Sequence, residues 1–147
     1  MGIRQTTPQA EIDDYIRKQT ANYEKALIRV MLKVGEDCIT IAKLNNTYQD
    51  QTGNLRSSIG YLLVKDGVII NQGGFDEYGF GNEDIDGKAE GSVYAKSLVA
   101  RYPFGVALIV VAGMKYAGYV EAMGYDVLSG TELYANERVN YLLKQLQ

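Results

Sequence analysis

"IGYLLVKDGVII", residues 59–70, decides the fold. Apolar, β-favouring residues stand on both sides of Asp66-Gly67. An Asp-Gly pair between two such runs is the strongest short-range hairpin signal in this sequence, because both residues tolerate the positive φ of a tight two-residue turn. Residues 59–64 and 68–70 are therefore expected to pair as antiparallel strands. A lone hairpin is only marginally stable in water, so further elements must cover it. The run "VALIVVAG", residues 106–113, supplies the expected third strand, and its lack of alternation predicts burial on both faces.

Upstream of the hairpin, the spacing predicts a long helix over residues 8–44. Thr7 serves as N-cap, Pro8 takes the first helical position, and Glu11, Asp13 and Asp14 place negative charge at the positive end of the dipole. Ile12, Tyr15, Ile16, Tyr23, Leu27, Val30, Met31, Val34, Cys38 and Ile41 recur close to a 3.6-residue period. Unbroken, such a helix is ~55 Å long, whereas a domain of this size has a radius of gyration of only ~15 Å. Either it breaks at Gly35 or its end projects beyond the domain, and a projecting amphipathic helix needs a partner.

Downstream come a glycine-rich acidic loop, residues 73–91, and a middle helix expected over residues 92–101, stopped ahead of Pro103. The last helix opens on a capping box of Ser129 and Glu132 with a hydrophobic staple of Leu128 and Leu133; Val139, Leu142, Leu143 and Leu146 continue its stripe. The order α-β-β-α-β-α predicts a single α+β domain over residues 1–147: a long N-terminal helix, a hairpin plus third strand forming a small sheet, and middle and C-terminal helices packed on it.

Composition narrows the function. With 147 residues, 46% hydrophobic and 22% charged, the chain can bury one core. Its longest apolar run is far short of the ~20 residues of a membrane span, and no basic start precedes an apolar block, so no membrane association or export is expected. A single cysteine, Cys38, excludes an internal disulfide and a multi-thiolate zinc site, and reads as a small buried apolar residue. The absence of histidine removes the commonest general base and transition-metal ligand, lowering the prior for an enzyme. A net charge of −3 argues against the phosphate neutralisation that drives nucleic-acid binding. The 12 tyrosines tilt towards interfaces, where a tyrosine gives large contact area at low entropy cost.

Two stretches invite a site. In "NEDIDGKAEGSV", residues 82–93, Asn82, Asp84, Asp86, Gly87 and Glu90 match positions one, three, five, six and nine of a calcium loop, but Val93 stands where the bidentate glutamate belongs. A small ligand- or calcium-binding module using residues 76–90 is thus the alternative function, and a solvated loop the plainer reading. Phe75, Tyr78 and Phe80 lie among glycines in the same segment and are expected to order against this chain's core or a neighbour. In "DQTGNLRSSIGY", residues 50–61, a phosphate cradle would need a glycine-rich turn into a longer helix, and Ser57 and Ser58 have no histidine to activate them. A structural corner fits best: Thr52 caps the turn, Leu55 and Ile59 face the core, and Arg56 pairs with a carboxylate. A histidine-free enzyme using Lys115 with Glu121 has no pattern to support it.

The same stretch resembles the Asp-Thr-Gly-x-Leu-Arg-x-Ser-Ile signature of the minor head-to-tail connector and tail-completion proteins of long-tailed phages. Asp50, Thr52, Gly53, Leu55, Arg56, Ser58 and Ile59 carry it, with Gln51 as a one-residue insertion. A second block, "YAGYVEAMG", is similar to the family's Tyr-Ala-x-Tyr-Val-Glu-x-Gly motif through Tyr116, Ala117, Tyr119, Val120, Glu121 and Gly124, with one extra residue before Gly124. Both blocks fall in the family's element order, so the resemblance covers nearly the whole chain. It implies a non-enzymatic virion protein without cofactors, present in the host cytoplasm during assembly, or encoded by a prophage. In the virion it would form a homo-oligomeric ring at the neck or upper tail, with neighbouring head, neck or tail proteins as partners and DNA only as passing cargo. A mildly acidic chain suits such a channel, since like charges give the DNA backbone nothing to hold.

On that footing Phe75, Tyr78 and Phe80, with Arg17 and Arg29 of the first helix, are expected at intersubunit contacts. Thr52, Gly53, Leu55, Arg56, Tyr116, Tyr119 and Glu121 are expected to organise the fold, with Tyr119 and Val120 inward and Glu121 paired to Arg56 or a neighbour.

Overall fold

The computed structural model describes residues 2–44, 53–76, 86–115, 117–124 and 126–146, and of Tyr119 and Val120 the backbone alone. The elements are α1 (Gln9–Leu44), α2 (Asn54–Ser57), β1 (Ile59–Lys65), β2 (Val68–Gly74), α3 (Gly87–Leu98), a 3-10 turn (Val99–Arg101), β3 (Val106–Ala112), α4 (Ala117–Ala122) and α5 (Ser129–Gln145). This is the expected α+β arrangement, with two short helices added.

The hairpin forms where Asp66-Gly67 places it. Asp66 has φ 49° and Gly67 φ 78°, the double positive φ of the turn whose twist matches that of paired strands. The turn is tied to the start of β3: the Asp66 N–H donates to the Gly105 carbonyl at 2.9 Å, and the Gly105 N–H to Asp66 Oδ1 at 2.8 Å. The sheet is antiparallel, in the order β2-β1-β3.

The centre of that sheet is β1, and it, not β3, is the strand buried on both faces. Its residues 59–64 are all buried. Ile59 and Tyr61 meet Ile39 and Ala42 of α1, while Leu62 and Val64 meet Ala95 of α3 together with Phe75, Ile109 and Val111. In β3 only Ile109 and Val111, on the α3 face, are fully buried, while Leu108, Val110 and Ala112 pack half-buried on the α1 side. A continuous apolar run reports sidechain affinity for the interior, but full enclosure also requires a neighbour on each edge, and β3 has one.

α1 does not break at Gly35. A Cβ there would stand 3.0 Å from the Tyr61 ring and 3.1 Å from Leu108, so the glycine lets the sheet press against a continuous helix. Its helical hydrogen bonding begins at the Pro8 carbonyl, which accepts from the Ile12 N–H at 3.3 Å. Tyr61 fixes the contact further by donating its hydroxyl to Glu36 Oε1 at 2.6 Å. Burial, then that carboxylate, holds the phenol well above its ordinary range. Cys38 is buried, as expected, and burial raises its thiol to about 11. On its other side α1 packs along α5, where Tyr134 donates to Asp37 at 2.9 Å.

Three helix starts differ from expectation: α1 begins at Gln9, with Pro8 rather than Thr7 in the capping position. α3 begins at Gly87 rather than at Ser92, with Asp86 as N-cap accepting from the Ala89 N–H at 3.2 Å. α5 begins at Ser129 itself, so Ser129 is not an N-cap and the expected capping box with Glu132 does not form.

Candidate assembly surfaces

The stretch from Gly53 to Ile59 is a corner built from backbone. Gly53, at φ 77°, turns the chain into the single turn of α2. Ser57 and Ser58 then donate their hydroxyls to the carbonyls of Gly53 (2.8 Å) and Leu55 (2.7 Å). Leu55 packs on Met114, Ala117 and Val127. The Ser58 carbonyl accepts from the Gly113 N–H at 3.2 Å, joining the corner to the end of β3. Gly87 and Gly91, one turn apart on α3, rest directly on the backbone of Asn54 and Ser58, and a Cβ on either would collide with a carbonyl oxygen. The glycines that resemble loop in the sequence are thus the seat of a helix. Thr52 and Asp50 lie outside the described residues, and Arg56 is half-buried on α2.

The second motif block orders α5. Glu121, on α4, turns one carboxylate oxygen to the start of α5, accepting from the N–H groups of Leu128 (2.7 Å), Ser129 (3.0 Å) and Val127 (3.3 Å) and from the Ser129 hydroxyl (3.1 Å). A carboxylate seven positions before the N-cap residue Leu128 therefore satisfies the orphan donors of a helix N-terminus. Burial pushes the Glu121 carboxyl up, but these donors outweigh it and the net pKa is lowered. No local spacing signals this contact. Tyr116 lies outside the described residues.

The aromatic loop divides. Phe75 is not an interface residue: it is 7% exposed and sits in the core cluster of Leu62, Val64 and Ala95. Positive φ at Gly74 (75°) and Phe75 (54°) folds the chain back over the sheet, and Gly60, where a Cβ would strike the Phe75 ring, leaves the slot it fills. Next to it, Asp76 bonds the largely buried Lys43 at 2.6 Å. Tyr78 and Phe80 fall outside the described residues, as do Asn82 and Asp84 of the calcium pattern. Asp86, Gly87 and Glu90 of that pattern open α3 instead, and among the described residues no group of three metal-binding side chains occurs.

What the structure does expose is apolar. Residues 9–23 of α1 extend past the body as ~22 Å of helix, with Tyr15 65%, Ile16 56% and Tyr23 48% exposed. The body begins at Glu24, which pairs with Lys65 of β1 at 2.8 Å. Arg17 and Arg29 are both exposed on this helix. Sequence reasoning missed a further point, Phe104, which is 87% exposed beside the hairpin turn.

Among the described residues β3 is a sheet edge with no strand beside it. Two clefts flank it: one of about 230 Å³ lined by Tyr94, Leu98, Val111 and Ala117, and one of about 260 Å³ lined by Cys38, Leu108, Leu128 and Ala135, with Val110 in both. Comparison of the chain with protein-family models, with curated proteins and with solved structures finds no match.

Proposed function

We propose that this chain is a structural subunit of a phage neck or upper tail, self-associating as a ring and joining head and tail components during assembly. The observation that carries this reading is the overhang of α1. Fully burying a side chain such as Ile16 is worth about 1.5–3 kcal/mol, and residues 9–23 leave Tyr15, Ile16 and Tyr23 exposed. A face of this kind is stabilised by a partner, and in a ring every subunit supplies one to the next. The two motif blocks support the same reading, because both lie at junctions that hold the small helices in place rather than at a reactive centre.

The test is made in the genome that encodes the chain. Mass spectrometry of purified particles is expected to find it as a stoichiometric component, and its deletion to leave filled heads and free tails unjoined under the electron microscope. Intact joined particles from the deletion strain, with the protein absent from wild-type particles, would refute the assignment.

A further inference from the structure

The sheet has two edges, and they are unlike. β2 is interrupted by a bulge opposite Leu63/Val64 and ends in Asn71, Gln72, Gly73 and Gly74, features that discourage further pairing. β3 reads VALIVVA, without a charge, a proline or a bulge.

The phase of its ladder follows from its two ends. The bonds Asp66 N–H to Gly105 O and Gly113 N–H to Ser58 O set the hydrogen-bonded pairs at Val64/Ala107, Leu62/Ile109 and Gly60/Val111. Val106, Leu108, Val110 and Ala112 therefore point their N–H and C=O groups away from the sheet. Among the described residues no strand lies there to receive them. An apolar edge with no strand beside it among the described residues, and a cleft on either side, is built to accept an added strand.

We propose that this strand is residues 2–7 of a second copy of the chain. That segment, GIRQTT, is non-helical and exposed throughout, with Ile3 fully so. It cannot serve its own sheet. Val106 pairs with Lys65, which bonds Glu24, so the near end of β3 stands level with Glu24 of α1. Gln9 is ~22 Å beyond that point along the helix, while the seven extended residues from Gly2 to Pro8 span only ~24 Å. Folding back would consume the whole segment and leave nothing to pair. The same overhang that denies it the home sheet carries it to a neighbour's. With a strand's two-residue alternation, Ile3, Gln5 and Thr7 share one face, and Ile3 enters the cleft of Cys38, Leu108, Leu128 and Ala135. One copy gives its arm and accepts another at a different surface, a head-to-tail contact that propagates around a ring. This inference deepens the proposed self-association and rests on it.

Two full-length variants test it. Ile3→Cys chain is mixed with Val110→Cys chain under mild oxidation, with Val106→Cys as a second acceptor and Ile70→Cys, on the other edge, as control. All variants also carry Cys38→Ala, because Cys38 lines the cleft that Ile3 is to enter. The arm held at β3 should raise the mixed disulfide on the order of tenfold over the control, through effective concentration. Removing residues 2–7 should abolish oligomers in light scattering without lowering the melting temperature. Mixed disulfide at the control level with both acceptors, or oligomers that persist without the arm, overturns the inference and leaves the ring reading standing. Absence from purified particles strikes at the ring reading alone.

Discussion

The two parts of α1 share one helix and one apolar period, yet residues 34–43 hold its buried side chains while residues 9–23, the half-buried Ile12 apart, are exposed. In the covered part Val34, Cys38 and Ala42 are sealed from solvent; in the other, Tyr15, Ile16 and Tyr23 continue the stripe in the open. Hydrophobic periodicity says which face of a helix will be covered, and leaves open by what. In this chain the answer changes at Glu24, where the hairpin ends and the body with it.

Substitutions should separate the two regions by their effect on the stability of the isolated chain. Tyr61→Ala, which empties the centre of the covered contact and removes the bond to Glu36, is expected to cost about 3–5 kcal/mol, read from the urea midpoint. A loss below that of an exposed substitution would mean that α1 is not clamped to β1 as described. Gly91→Ala, which drives a methyl into the Ser58 carbonyl, is expected to cost about 1–3 kcal/mol in the same assay. A neutral result would show that α3 does not sit on the corner.

Glu121→Gln should cost about 1 kcal/mol through the start of α5. Its effect depends on pH with a definite sign. The folded-state pKa of Glu121 is lowered, so its contribution is complete above the unfolded carboxylate value of about 4.3 and is lost as pH falls through the folded value. Wild type and variant should therefore converge in acid, and a gap that widens there would contradict the capping role. The smallest effect belongs to the overhang: Ile16→Ser with Tyr23→Ser should leave the isolated chain within about 0.5 kcal/mol of wild type while weakening its self-association in light scattering.

Much of the fold was legible because local chemistry and tertiary structure agree. Asp66-Gly67 fixes the hairpin, and the periods of α1 and α5 place both helices. Sequence reasoning failed where tertiary contacts override local preference. Gly87 and Gly91 lower helix propensity and so resemble loop, yet a close helix-to-backbone contact requires them. Phe75 stands among glycines in the sequence, and the slot that receives it belongs to Gly60 on β1. The cap of α5 comes from Glu121 rather than from an adjacent residue, beyond the reach of any short pattern. For the candidate surfaces, arithmetic on helix length left the overhang as one of two outcomes, the other being a break at Gly35; the outer position of β3 was not legible, since strand order is not written in any one strand.

Hydrogen exchange along α1 tests the division most directly. In dilute isolated chain, the amides of residues 9–23 should exchange orders of magnitude faster than those of residues 34–42, and in assembled particles both sets should be slow. An overhang already as protected in the dilute chain as in the particle, or one that still exchanges freely once assembled, would contradict its role as the surface through which subunits join.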